Sequence, residues 1–260
     1  MLLPLVLALL LVPGLMLAWD TQSHQRITQA ALDALPKQLL ERFGAERQPL
    51  IEIYSLYPDR YAEMTGAGFV RKSPGPKDAA SIEVYCLRPD GEPVHSATFD
   101  RDEDSISLMY LFERIVTQLA ARSAGEAARY VGVLSHFIAD SLSPPHSVPA
   151  ADLLALAPDL PASPPNDLHS VLERGLPAVA LTGRAPRSLG EHLLPAAEAL
   201  LDQCYAAAEL NRKALPELAR AVREKDEKAL DAGRRRAGMR AAEMLSDTLL
   251  TLIEMSDKQR

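Results

Sequence analysis

Histidine and carboxylate residues recur at a spacing that suits metal binding. His136 and Asp140 lie four residues apart in the sequence, and so do His169 and Glu173. On a helix, this spacing places both side chains on one face, one turn apart. An imidazole and a carboxylate held in this way can bind one metal ion from the same side. For either pair alone, a histidine that merely precedes an acid on a solvated helix face is the alternative interpretation.

A third histidine can join the first pair. His146 follows Asp140 by six residues, directly after Pro144 and Pro145. Because the two prolines end the preceding helix, the chain can turn back and bring His146 over the same site. His192 has only Glu191 beside it, and we interpret it as an ordinary surface residue.

Helices must position these residues, because Ala and Leu dominate the sequence and β-branched residues are scarce. We predict an all-α, single-domain helical bundle over residues 19–260. A loop or small hairpin insertion is expected near residues 66–104, with strands at 82–87 and 94–99 flanking a turn at 89–91. The predicted helices cover residues 20–43, 48–65, 105–122, 125–142, 166–182, 189–215 and 216–257.

The N-terminus resembles an export signal. Residues 1–18 carry no charge and are nearly all apolar, with Pro13 and Gly14 late in the run and Ala18 at its end. This pattern predicts a signal peptide over residues 1–18 that is cleaved before Trp19, and thus a secreted or periplasmic protein. An uncleaved membrane anchor is the alternative, because the run is at the lower limit of length for a spanning helix.

Composition excludes several classes of protein. The chain has 260 residues, a net charge of -7, 47% apolar and 24% charged residues, which is typical of a globular protein rather than a disordered one. An acidic chain without a strong basic block is not expected to bind duplex DNA. Two cysteines, Cys86 and Cys204, exclude a disulfide-rich fold and a cysteine-rich zinc site, and whether they pair is left open.

Several short motifs, taken in order along the chain, are similar to those of a known superfamily. The motif Ser135-His136-Phe137-Ile138-Ala139-Asp140 followed by Pro144-Pro145-His146 resembles that of zinc-dependent phospholipases C and of the related single-strand-specific nucleases. The resemblance spans about residues 19–173 and implies the all-α phospholipase C fold. The positions that match the family's metal ligands are Trp19, His24, Asp59, His95, His136, Asp140, His146, His169 and Glu173.

The resemblance implies three zinc ions in one cleft. One ion would take Asp59, His95, His136 and Asp140; a second would take the α-amino nitrogen and carbonyl oxygen of Trp19, with His24 and Asp140; a third would take His146, His169 and Glu173. Asp59, in the stretch Tyr57-Pro58-Asp59-Arg60, is farther from His95 than is usual in the family, so Asp78 or Glu83 is an alternative ligand.

The implied chemistry is hydrolysis of a phosphodiester by a zinc-bound hydroxide. Asp59, Asp140 and Glu173 are the implied catalytic carboxylates, with Asp140 bridging two ions and Asp59 also a candidate general base. No side-chain nucleophile is needed, in keeping with the absence of a convincing Ser or Cys motif.

The sequence specifies the substrate class less closely than it specifies the chemistry. Glu at position 173 and the small number of cysteines favour the lipase branch, and so do the few aromatic residues (5%), because binding of single-stranded nucleic acid needs aromatic side chains for stacking. A phospholipid substrate or membrane surface is therefore expected, and a single-strand nuclease or 3'-nucleotidase is the alternative. A non-catalytic zinc-binding module is another class, and a secreted helical bundle with scattered histidines a further one. The run Arg234-Arg235-Arg236 is predicted to be a solvated helix face rather than a contact for anionic membrane or nucleic acid. No protein partner is predicted.

Overall fold

The structure, a computed structural model, describes residues 19–65, 77–95 and 100–260. The predicted signal peptide lies outside these residues. The described part is all-α, as predicted from the sequence. No helix in it is both long enough and apolar enough to cross a bilayer. The α-helices are α1 (Thr21–Asp33), α2 (Lys37–Leu40), α3 (Arg47–Glu52), α4 (Tyr57–Thr65), α5 (Lys77–Cys86), α6 (Arg101–Ala120), α7 (Ala124–Ser141), α8 (Ala150–Leu156), α9 (Leu168–Glu173), α10 (Leu193–Glu224) and α11 (Glu227–Lys258).

The centre of the molecule is α7. All of its residues from 130 to 141 are buried, which is the pattern of a helix surrounded by others rather than of an amphipathic surface helix. It contacts α1, α3, α4, α5, α6, α10 and α11. The side chains of His136 and Asp140 on this helix are therefore held in the interior.

Aspartate caps begin four of the described helices, and Asp226 at the start of α11 is one of them. The side chain of Asp20 accepts a hydrogen bond from the backbone N–H of Ser23 at 2.8 Å at the start of α1. Asp100 does the same for α6, and Asp167 for α9. Such caps satisfy backbone donors that have no partner within the helix and typically contribute about 1 kcal/mol each. They fix where α1 and α9 begin, and both helices carry candidate ligands.

The first strand of the predicted hairpin, residues 82–87, is wrong because most of it is helical. Residues 77–86 form α5, and only an isolated antiparallel bridge joins Leu87 to Pro93. The predicted turn is present, with Gly91 at φ +90°. Ile82, Val84 and Cys86 alternate as in a strand, but Val84 is 54% exposed while Ala79, Ile82 and Cys86 are buried at helical spacing. Residues 96–99 of the predicted second strand lie outside the described residues.

Several predicted helices are divided or shortened. The helix predicted over residues 20–43 is interrupted before Pro36, and that over 48–65 comprises α3, a 3₁₀ segment at Tyr54–Leu56 and α4. The helix predicted over 166–182 is only α9. In contrast, α10 continues through Pro216, where a boundary was predicted. Cys86 and Cys204 are buried free cysteines.

Candidate metal centre

Side chains from widely separated elements meet beside α7. His136 and Asp140 come from α7 itself, His24 from α1, Asp59 from α4, and His95 from the segment after α5. We call these five residues the five-residue cluster. Four of them are buried, and Asp59 is 16% exposed.

Carboxylate and imidazole atoms of the five-residue cluster approach one another closely. The Oδ2 atom of Asp140 lies 2.8 Å from Nε2 of His95 and 3.2 Å from Nε2 of His136, and its Oδ1 atom lies 3.3 Å from Nε2 of His24. Asp59 Oδ1 lies 3.5 Å from His136 Nε2. Two sets of three, His24 with Asp59 and His136, and His95 with His136 and Asp140, have ligand atoms within 4.8 Å of one another. Nitrogen and oxygen atoms in such sets match the ligands of zinc and similar divalent ions.

A second group, the three-residue cluster, consists of His146, His169 and Glu173. His146 is in the 3₁₀ segment Pro144–Ser147, and the other two are on α9. The Oε1 atom of Glu173 lies 3.1 Å from Nε2 of His146, and its Oε2 atom lies 2.9 Å from Nε2 of His169. All three residues offer a ligand atom within 4.8 Å of the others. This group could hold a metal ion as well.

Backbone and hydroxyl contacts orient the cluster side chains. Nδ1 of His136 donates to the carbonyl oxygen of Ser55 at 2.9 Å, and a carbonyl can only accept, so the proton is on Nδ1. The lone pair of Nε2 then faces the cluster, which is the arrangement that metal-binding imidazoles usually adopt. Ser143 Oγ donates to Glu173 Oε1 at 2.9 Å. Sequence spacing gave no sign of Ser55 or Ser143.

Buried nitrogen atoms in the clusters have unmet bonding capacity. Within the described residues, Nε2 of His24, His136 and His146 and Oδ1 of Asp140 are buried without a hydrogen-bond partner. The rings of His24 and His136 stack with their centroids 4.0 Å apart and 8° between their planes. Buried polar atoms without partners are costly, and a cation among these lone pairs would satisfy them. The donor set therefore fits a divalent metal ion.

The electrostatics of the five-residue cluster also favour a cation. Burial lowers the pKa of His24 well below 6.5, and the nearby His136 lowers it further. Burial raises the pKa of Asp59 to about 7. Burial alone would lower the pKa of His136, but Asp140 and Asp59 raise it to about 9. Burial opposes the charge of Asp140, yet His136 and the other imidazoles hold its pKa well below 3.8. Burial therefore penalises the charge of both carboxylates, and a cation bound beside them would stabilise it.

One cleft reaches both clusters from solvent. It has a volume of about 380 Å³, and Trp19, Asp59 and Glu173 line it. The indole of Trp19 is buried, and its Nε1 donates to the carbonyl oxygen of Ala139 at 2.9 Å. The predicted side-chain ligands are therefore brought together in two clusters beside one cleft, and Trp19 lies at the same place. Ligation by its α-amino nitrogen stays a prediction.

One of the two alternatives to Asp59, Glu83, does not reach the clusters. Glu83 on α5 accepts a hydrogen bond from the hydroxyl of Tyr61 at 3.2 Å and is in neither cluster. The side chain of Asp78 lies outside the described residues. His192, interpreted as a surface residue, is exposed at the start of α10 and is likewise in neither cluster.

Arg234 connects α11 to the three-residue cluster, and here the prediction of a solvated helix face is wrong. Its side chain is buried, with Nη2 donating to the carbonyl oxygen of Val171 at 2.7 Å and Nε to that of Leu172 at 3.2 Å. These are carbonyls of α9, directly before Glu173. Arg235 and Arg236 are exposed, as predicted.

Comparisons with protein-family models, with curated proteins and with solved structures gave no match. The fold and the two clusters define the chain as an all-α protein with buried histidine–carboxylate groups that could hold metal ions.

Proposed function

We propose that this protein is an exported, zinc-dependent phosphodiesterase of the phospholipase C type, which hydrolyses the headgroup phosphodiester of phospholipids. The observation that carries the proposal is that one cleft leads to both histidine–carboxylate clusters, with Asp59 and Glu173 in its lining. A phosphodiester in this cleft would lie against residues that bind cations, which is what phosphoryl transfer requires.

The carboxylates have different positions relative to the cleft. Both oxygens of Asp140 face imidazoles inside the five-residue cluster, so Asp140 would be shared between two ions. Glu173 would hold an ion in the three-residue cluster, with Ser143 fixing its Oε1 atom. Asp59 is the cluster carboxylate with partial exposure to the cleft, which makes its oxygens candidates to accept a proton from the attacking water. When bound, zinc ions would supply Lewis acidity toward the phosphate and lower the pKa of water.

The lining of the cleft supports a phospholipid more than a nucleic acid. Trp19 is the aromatic residue in that lining, and it is 1% exposed. Binding of single strands normally uses exposed aromatic rings on which bases stack. A small headgroup needs no such platform.

The test is metal analysis and turnover with the chain starting at Trp19. Zinc per chain is measured by native mass spectrometry, and hydrolysis is measured on bis-p-nitrophenyl phosphate, a panel of phospholipids and single-stranded DNA. We expect bound zinc and zinc-dependent release of phosphorylated headgroups from phospholipids. Zinc binding without hydrolysis of any phosphodiester would instead indicate the non-catalytic module, and preference for DNA would indicate a nuclease.

A further inference from the structure

Two arginines flank the candidate ligands at the cleft. Arg60 follows Asp59 on α4, and Arg174 follows Glu173 at the end of α9. Both arginines line the same cleft as those two carboxylates. Their side chains come from elements more than a hundred residues apart in the sequence, yet they face one space of about 380 Å³. A group bound at the clusters would therefore have two guanidinium groups near it.

Neither arginine forms an ion pair with any residue that the structure describes. Arg60 is half-buried and has no hydrogen bond to a described residue. The Nε atom of Arg174 donates to the carbonyl oxygen of Ser170 at 3.2 Å, which fixes the guanidinium along α9 and leaves both Nη atoms available. A guanidinium presents donors in a planar fork that matches phosphate and carboxylate oxygens.

The acids of the lining form no ion pair with these arginines. Asp20 has both oxygens engaged, one by the N–H of Ser23 and the other by that of Gly175. Asp59 and Glu173 face the histidines of the clusters. The remaining acid, Glu63, is exposed. Arg60 and Arg174 are thus cationic groups in the cleft wall that no described carboxylate pairs with, although the whole chain has a net charge of -7.

We propose that Arg60 and Arg174 form a subsite for a second anionic group of the substrate. This inference rests on the proposed function and specifies its substrate class: phospholipids whose headgroup carries a phosphate monoester or carboxylate besides the diester. The scissile diester would lie at the clusters and the second anion between the guanidinium groups. Among the described residues of the lining there is no exposed aromatic side chain for a base, so the lipid is favoured over a neighbouring phosphate of a nucleic acid strand.

The experiment compares kcat/KM for phosphatidylinositol 4-phosphate with kcat/KM for phosphatidylcholine, in mixed micelles at fixed salt. We expect the wild-type ratio to favour the phosphorylated headgroup. Arg60→Gln and Arg174→Gln should each lower this ratio by about tenfold, because each removes a charge-assisted contact to the second anion. Arg60→Lys and Arg174→Lys should restore part of it, since charge remains while the planar fork is lost.

Arg236→Gln is the matched control, because Arg236 is an exposed arginine on α11 away from the cleft, and it should keep the wild-type ratio. A wild-type ratio near one, or equal losses on both lipids in the Arg60 and Arg174 variants, would overturn the subsite. Faster cleavage of a short single-stranded oligonucleotide than of either lipid would overturn the lipid assignment.

A binding measurement separates this inference from the proposed function. If no phosphodiester is hydrolysed, the proposed function fails, and the subsite is still tested by calorimetry with glycerophosphoinositol 4-phosphate and glycerophosphocholine. Tighter binding of the former, weakened about tenfold by Arg60→Gln, would support the subsite. Equal affinities for the two would refute it.

Discussion

Asp140 is the side chain on which the five-residue cluster converges. Its two oxygens face different imidazoles, with Oδ2 toward His95 and His136 and Oδ1 toward His24. The carboxylate is almost fully buried, so its negative charge is held there only by what it contacts. A shared carboxylate of this kind is expected to matter through its charge more than through its shape.

Asp140→Asn tests that expectation. The amide has the same size as the carboxylate but no charge, so it should weaken binding of both ions that Asp140 is proposed to share. We expect loss of bound zinc and a fall in phosphodiester hydrolysis of roughly a hundredfold or more. Zinc is measured by native mass spectrometry, turnover with bis-p-nitrophenyl phosphate, and helix content by circular dichroism, which should stay at the wild-type level.

Asp202→Asn is the control for this substitution. Asp202 is on α10, its side chain is 65% exposed, and it pairs with Arg101 rather than with either cluster. It should keep wild-type zinc and turnover. Near-normal hydrolysis by the Asp140 variant would contradict a shared, catalytic role for this residue.

Sequence spacing located some of these residues and not others, for a physical reason. The pairs His136–Asp140 and His169–Glu173 follow from the helical period, which is local. The carbonyl of Ser55 that orients His136 lies 81 residues away, and every residue has a carbonyl, so no side chain marks it. The sequence did not distinguish the buried Arg234 from its exposed neighbours, because its partners are carbonyl groups of α9 that only tertiary packing brings close to α11.

At the scale of elements, α7 lies close against the 3₁₀ segment Tyr54–Leu56. A Cβ atom added to Gly132 of α7 would lie 2.4 Å from the backbone carbon of Tyr54. The neighbouring Ser55 is the residue whose carbonyl accepts from His136. The absence of a side chain at position 132 therefore sets the distance at which Ser55 and His136 meet.

Gly132→Ala should force the two elements apart. Because the obstacle is backbone rather than a flexible side chain, we expect a loss in the free energy of unfolding of roughly 1–3 kcal/mol or more. We also expect weaker zinc binding, since the hydrogen bond to His136 lengthens. Urea denaturation measures the first effect, and zinc titration with a competing chelator measures the second.

Gly125, on the same helix, provides a control for the Gly132 substitution. A Cβ on Gly125 would meet the end of the Arg129 side chain at 3.0 Å and, at ordinary contact distance, the end of the Glu46 side chain at 3.7 Å, and both side chains can move. Gly125→Ala should therefore be neutral or stabilise the protein by up to about 1 kcal/mol, through helix propensity. If the two variants behaved alike, close packing at Gly132 would not control the position of His136.

Some predicted helix and strand boundaries are wrong because tertiary packing overrides the local sequence pattern. The strand predicted over 82–87 is part of α5, because burying Ala79, Ile82 and Cys86 on one face requires a helix there. Pro216 was expected to end a helix, yet α10 continues through it, since Leu215, Leu218 and Ala219 pack in a common core and the proline is exposed. Helices α6 and α7 were predicted to within four residues at each end because their apolar patterns are long, although the Asp100 cap that begins α6 was missed.

At the scale of the whole molecule, hydrogen bonds join the start of α1 to the end of α9 and the residues that follow it. Asp20 accepts from the N–H of Gly175 at 3.1 Å, Ser23 Oγ donates to the carbonyl of Glu173 at 3.4 Å, and Arg26 donates to the carbonyl of Leu176. These contacts join residues about 150 positions apart. They place Trp19 beside the cleft.

The predicted role of Trp19 can be tested with three forms of the chain: one starting at Trp19, one with Met before Trp19, and one starting at Met1. An amide nitrogen is a very poor ligand because its lone pair is delocalised, so only the first form has a ligating α-amino group. We expect the other two to bind less zinc and to lose at least roughly tenfold in phosphodiester hydrolysis. Equal zinc and equal turnover in all three forms would show that the amine is not a ligand.

Joining such distant residues has a consequence for the order of folding. Closing a long loop costs conformational entropy before its contacts form, and contacts between distant residues slow folding. Because α11 packs on α1 and holds α9 through Arg234, the three-residue cluster reaches its final position only after the last helix has docked. A chain emerging from the ribosome would therefore present these histidines unassembled for most of its synthesis. An ion shared by His24 on α1 and Asp140 on α7 would close such a loop as well, and its removal would release a link between residues more than a hundred positions apart.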